Sequence, residues 1–136
     1  MPEVRVERGI LDTSVVVDLD TIHPDLLADE VAITSITLAE LAAGPHATSD
    51  HQERARRQDR LQRTEAAFDP LPFDADASRA YGRVYAEVAG SGRKARGARA
   101  VDLLIAAVAC SRELPLYTRN GADFKHLSGL IDVIEI

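Results

Sequence analysis

Three apolar stretches of this chain each carry a single acid, and any fold it adopts has to account for them. Asp12 is the only charged residue between Arg8 and Asp18, Glu40 the only one from Val31 to Ser49, and Asp102 the only one from Ala100 to Ser111. Burying a carboxylate without a partner costs several kcal/mol or forces it to take up a proton, so isolated acids in apolar surroundings often share a cation. The pattern predicts a metal site assembled from distant segments.

The segments around these acids read as strand followed by helix. Gly9-Ile10-Leu11 is a short strand that runs into Asp12, after which Thr13 or Ser14 can cap a helix from Val15 to Asp18. Val31-Ala32-Ile33 repeats the motif, with Ser35 as cap and a helix through Leu38 and Leu41 that Gly44-Pro45 ends. Ser49 and Gln52 form a capping box for a long polar helix reaching Phe68, whose sparse apolar positions make it peripheral. Asp74 or Asp76 can cap the next helix, whose stripe of Ala77, Ala80, Tyr81, Val84, Tyr85 and Val88 stops at Gly90 and Gly92. Residues 101–110 are apolar on every side except at Asp102, as expected of a central buried helix with that acid in its first turn. Leu116-Tyr117 leads into Thr118, and residues 131–136 supply a closing strand. The chain has no Trp, three Tyr and three Phe, so its core must come from Leu, Ile, Val and Ala, which suits helices packed on a sheet. We expect one α/β domain spanning residues 1–136, with a mostly parallel central sheet flanked by helices.

Composition removes several classes of function. The lone Cys110 excludes an internal disulfide and reads as a buried small hydrophobe, consistent with a cytoplasmic protein. No apolar run approaches the roughly 20 residues of a membrane span, and the start of the chain lacks the features of a signal peptide. A net charge of −6 argues against a surface that binds nucleic acid everywhere. Basic residues nevertheless cluster: Arg93, Lys94, Arg96 and Arg99 in one segment, and Arg54, Arg56, Arg57, Arg60 and Arg63 in another. Each cluster can be a binding patch or a solvated face.

In open α/β sheets ligands gather at the carboxyl ends of strands, and Asp12 and Thr118 both follow strands directly. Asp102 at a helix start gains from the positive end of the dipole, whereas Glu40 has no such help and would need a shared cation. The run Thr118-Arg119-Asn120-Gly121-Ala122-Asp123-Phe124 adds a hydroxyl, an amide and a fourth acid, with Gly121 permitting a tight turn. An all-oxygen donor set favours Mg²⁺, with Mn²⁺ possible, over Zn²⁺. No Cys/His spacing suggests zinc, and Asp18-Leu19-Asp20 lacks the further ligands of an EF-hand. Such an ion suits phosphodiester hydrolysis by a metal-activated water, with one ion or two. The plainer readings are that Asp12 and Asp102 are caps, Glu40 a surface residue, and Thr118, Asn120 and Asp123 turn formers.

Four motifs in this order resemble the PIN-domain family, in particular its VapC-type ribonuclease toxins from type II toxin–antitoxin systems. They are Leu11-Asp12-Thr13-Ser14, Leu38-Ala39-Glu40-Leu41 with Gly44, Asp102-Leu103-Leu104-Ile105-Ala106-Ala107, and the run from Thr118 to Phe124. The resemblance implies a PIN-like three-layer α/β/α fold and an acidic site of Asp12, Glu40, Asp102 and Asp123 that binds metal and is catalytic. Thr13, Ser14, Thr118 and Asn120 would support it. It also implies metal-dependent endonucleolytic cleavage of RNA, a homodimer, and inhibition by a cognate antitoxin. Arg93, Lys94, Arg96 and Arg99 would contact RNA phosphates. The polar helix and the 77–88 stripe are candidates for the groove that grips the antitoxin. Two other functions fit less well: an inactive PIN-like module that binds RNA or protein, and an aspartate-nucleophile phosphotransferase. The latter usually has a second Asp where Ser14 stands.

Overall fold

In the computed structural model, which describes residues 6–92 and 98–136, the strands are short, and the two central ones run directly into polar residues, Asp12 and Arg119. Strand β1 is Arg8–Leu11, β2 is Glu30–Ala32, β3 is Leu116–Thr118 and β4 is Val133–Glu135. They form a four-stranded sheet in the order β2-β1-β3-β4, with every neighbouring pair parallel. A parallel sheet is normally covered on both faces, and alternation along these strands supplies both faces with apolar side chains. Ile10 and Leu116 point into one core, Leu11 and Tyr117 into the other.

The first core is closed by α4, Ala75–Gly90, and α5, Ala98–Arg112. Ala77, Ala80, Val84 and Val88 form the buried stripe of α4 and pack against α5, where Leu103 and residues 105–109 are buried. A fully buried Val or Leu contributes roughly 1.5–3 kcal/mol, so this pairing is a main source of stability. Ala77, Ala80, Val84 and Val88 are therefore occupied within the core, while Tyr85 of the same expected stripe is 51% exposed. Asp74 caps α4 through Oδ1, which accepts the Ala77 N–H at 2.9 Å. Gly92, with φ of +79°, ends the helix in the left-handed conformation that only glycine adopts freely.

The second core lies under α1, Thr13–Val17, and α2, Ser35–Ala43, with α3, His51–Ala67, outside them. As its sequence implied, α3 is peripheral: Thr64 is its one buried side chain among the described residues. Its arginines are largely engaged locally. Arg54 and Arg57 donate to the Pro45, Thr48 and Gly44 carbonyls, Arg56 and Arg57 pair with Glu53, and Arg63 pairs with Asp20 and Asp59.

Several boundaries differ from the expected ones. The caps are Asp12, Thr34 and Asp50 rather than Thr13 or Ser14, Ser35 and Ser49. β2 stops before Ile33, whose carbonyl instead accepts the Leu71 N–H at 2.9 Å. α5 begins at Ala98, which places Asp102 one turn inside the helix rather than in its first turn. Cys110 is only partly buried, with Arg83 Nη2 at 3.6 Å from its Sγ. Short 3₁₀ turns at Leu19–Thr21, Pro24–Leu26, Gly44–Ala47 and Gly121–Leu127 have no periodicity by which sequence could reveal them. Among the described residues no helix is long and apolar enough to cross a membrane.

Candidate active site

The parallel sheet brings the ends of β1 and β3 side by side, and Asp12 is pinned there because its N–H donates to the Tyr117 carbonyl at 3.0 Å. The residue is 3% exposed. One carboxylate oxygen, Oδ1, accepts the Ser14 hydroxyl at 2.5 Å and the Val15 N–H at 3.2 Å, so Asp12 caps α1. The second oxygen, Oδ2, accepts no hydrogen bond from a described residue. The residue is thus a cap with half of its acceptor capacity unused.

Glu40 reaches the same corner through the neighbouring hydroxyl. Thr13 Oγ1 donates to Glu40 Oε1 at 2.5 Å and lies 3.0 Å from Thr37 Oγ1. A hydroxyl has one hydrogen, so with Thr13 donating to Glu40, the second bond runs from Thr37 to Thr13. Thr37 is wholly buried and sits one turn before Glu40 on the same face of α2. Thr34, the α2 cap, holds it by accepting its N–H at 3.2 Å. Neither Thr34 nor Thr37 was anticipated from sequence, although the Thr-x-x-Glu spacing was available as a signal.

The last motif joins from β3. Ser14 Oγ, besides donating to Asp12, accepts the Arg119 N–H at 3.0 Å, which ties the segment after β1 to the segment after β3. Thr118 is wholly buried and its Oγ1 accepts the Asn120 N–H at 3.0 Å, a turn-forming role. Asp123 is exposed at the start of the 3₁₀ turn Gly121–Leu127, with its N–H on the Asn120 carbonyl at 3.0 Å. Its carboxylate accepts no hydrogen bond from a described residue. Gly121 is not in the left-handed region; its N–H donates to Glu135 Oε1 at 3.2 Å.

Asp102 is half-buried on α5, which packs against α2. Its depth in the helix removes most of the dipole assistance, which fades beyond the first turn. Among the described residues no group of three or more Asp, Glu, His or Cys side chains is close enough to hold a metal ion. Hydrogen bonds tie Asp12 to Ser14 and Arg119, and Glu40 to Thr13 and Thr37, and the consecutive residues 12–14 bring the two sets into one corner.

The basic candidates Arg93, Lys94 and Arg96 lie outside the described residues, as does the side chain of Arg99. Arg119 borders the corner, with Nε 3.7 Å from Asp18 Oδ2. His23, His46 and His51 are exposed, whereas His126 is partly buried and its Nε2 has no partner among the described residues. The Tyr117 hydroxyl is pushed above its ordinary pKa, first by burial and then by Asp132.

Comparison with known proteins places these features in context. The PIN domain family model matches residues 10–130. Ribonuclease VapC5 of Mycobacterium tuberculosis is 41% identical over 128 residues, covering 92% of this chain and 91% of the relative. Ribonuclease VapC of Rickettsia bellii is 32% identical over 126 residues, covering 89% and 91%. The crystal structure of VapBC-5 from M. tuberculosis, a member of the VapBC family of toxin–antitoxin systems, matches with a TM-score of 0.80 at 40% identity, over 95% of this chain and 98% of that one.

Proposed function

The chain belongs to the PIN-domain family, and from that premise we propose that it is a VapC-type ribonuclease toxin: a metal-dependent endoribonuclease neutralised by a cognate antitoxin. The observation that carries this reading is the buried Asp12 carboxylate at the edge of the sheet. One oxygen is fixed by two donors, the other is unused, and Glu40 is tied beside it through Thr13.

The donor chemistry suits a hard divalent cation, since Asp12, Thr13, Ser14, Thr37 and Glu40 present carboxylate and hydroxyl oxygens. Because no three acids converge among the described residues, the fit is to an ion that keeps several of its own waters, which is the habit of Mg²⁺ and favours it over Ca²⁺ or Zn²⁺. Asp12, Glu40, Asp102 and Asp123 would hold it in part through those waters rather than all by direct contact. When bound, it supplies a lowered pKa for a water and positive charge against the phosphate.

The chain's own groups do the positioning. Ser14 and the Val15 N–H fix one Asp12 oxygen and leave the other without a donor among the described residues. Thr37 orders the Thr13 hydroxyl, which in turn holds Glu40, so both acids keep their orientation without bound substrate. Asn120 and Thr118 shape the turn on the far side. Arg93, Lys94, Arg96 and Arg99 would draw RNA to an otherwise acidic surface by neutralising phosphates. We further propose a homodimer in the cytoplasm.

Purified, antitoxin-free protein incubated with a mixed RNA pool tests this reading. Cleavage is expected with Mg²⁺ or Mn²⁺, and not with EDTA or in Asp12→Asn and Asp102→Asn. Cleavage indifferent to EDTA and to both substitutions would overturn it. Replacing the four basic residues by Gln is expected to weaken RNA binding and flatten its salt dependence.

A further inference from the structure

Glu135 ends β4 level with Thr118, which ends β3. From there its Oε1 accepts the Gly121 N–H at 3.2 Å. Three successive N–H groups of the turn thus have separate acceptors: Arg119 on Ser14 Oγ, Asn120 on Thr118 Oγ1 and Gly121 on Glu135. The turn is clamped from two sides, by Ser14 toward Asp12 and by Glu135 toward the last strand. Of the three acceptors, Glu135 is the charged one, and hydrogen bonds to charged groups are the stronger kind.

Gly121 shows how closely the carboxylate approaches. A Cβ at this position would lie 2.8 Å from Glu135 Oε2 and 2.9 Å from its Cδ. Its φ is not left-handed, so the absent side chain makes room for Glu135 rather than for the turn itself. The Glu135 carboxylate is the flexible partner in that contact, and a methyl group at 121 would push it off the N–H.

We propose that Glu135 is a positioning residue of the active site. Through the Gly121 N–H it holds the 118–123 turn on the sheet, which keeps the Arg119 N–H on Ser14 and thereby the Ser14 hydroxyl on Asp12. The catalytic consequence rests on the ribonuclease reading above; the clamp itself does not.

The test compares Glu135→Ala, Glu135→Gln, Gly121→Ala and the Gly121→Ala/Glu135→Ala double variant. Amide hydrogen exchange at Gly121 and Arg119 is followed by NMR, and RNA cleavage is followed with Mg²⁺. In Glu135→Ala both amides are expected to exchange about tenfold faster, the scale of one charge-assisted hydrogen bond. At saturating RNA, kcat is expected to fall by about fivefold with KM unchanged, as for a group acting on the transition state alone. Glu135→Gln keeps an oxygen acceptor and is expected to restore both readouts. Gly121→Ala is expected to match Glu135→Ala, with the double variant no worse than either single one, because both remove the same contact. Wild-type exchange at Arg119 in Glu135→Ala, a Gln variant as damaged as the Ala variant, or additive effects in the double variant would each overturn the proposal. If the wild type cleaved no RNA, the functional reading would fail while the exchange data still decided the clamp.

Discussion

Asp12 and Asp123 follow strands β1 and β3 at the same edge of the sheet, yet the fold holds them by different means. Asp12 is 3% exposed, with its backbone N–H on β3 and one carboxylate oxygen on two donors. Asp123 is exposed on a 3₁₀ turn, and among the described residues it is anchored by its backbone N–H on Asn120. The difference separates an acid whose orientation is part of the core from one whose position depends on a turn. If both serve one ion, Asp12 has to be the primary holder and Asp123 an accessory.

The largest expected effect tests the primary holder. Asp12→Asn keeps a cap acceptor, so α1 and the melting temperature should be nearly preserved. RNA cleavage should fall by about a thousandfold or more, the scale of losing a group that stabilises charge in the transition state. A variant that loses folding together with activity would mean that Asp12 serves only as a cap.

Next comes the support beneath it. Gly9 in β1 lies under the Tyr117 ring, where a Cβ would come within 2.4 Å of Cε2. Gly9→Ala overpacks the strand pair whose Tyr117 carbonyl holds the Asp12 N–H. Denaturant melts should show a loss of about 1–3 kcal/mol, the usual cost of an added methyl in a packed core. An unchanged midpoint would show that the ring moves freely.

Asp123→Asn is expected to lower cleavage by about tenfold with no loss of stability, the lower end of effects seen on removing an outer group of a metal site. A loss as large as that of Asp12→Asn would erase the contrast between the two acids.

The smallest effect belongs to α3, where Glu53 is paired within the helix by Arg56 and Arg57. Hydrogen bonds from Arg57 and then Arg56 hold the Glu53 carboxyl below its ordinary 4.5. A lowered pKa stabilises the fold above the ordinary value, and that contribution is lost as pH falls through the lowered one. The difference in melting temperature between wild type and Glu53→Gln should therefore be present at neutral pH and vanish well below 4.5. RNA cleavage should not change.

Much of this arrangement was legible in the residues themselves. A lone acid after Ile10-Leu11 marks a strand end, and the spacing of Ala77, Ala80, Val84 and Val88 marks a helix, because period and burial are local properties. The choice of cap was not legible: Thr34 and Ser35, or Ser49 and Asp50, can all accept an N–H, and backbone geometry selects among them. Asp102 shifted inward because Ala98, Arg99 and Ala100 are good helix formers that extend α5 toward its N-terminus. Thr37 and Glu135 were missed for a different reason. Their hydrogen-bond partners, Thr13 and Gly121, come from other segments and are brought to them by the packing of the sheet. Sequence likewise supplied Gly121 as a turn residue, and only the approach of Glu135 explains why a side chain is excluded there.

Cooperation of distant acids on one cation is tested most directly by Mn²⁺ titration of the RNA-free protein, followed by electron paramagnetic resonance. Wild type would be compared with Asp12→Asn, Glu40→Gln and Asp102→Asn. The expected result is saturable binding by the wild type that weakens at least about tenfold in each variant, with Asp12→Asn affected most. Equal Mn²⁺ affinity in all four proteins would contradict it.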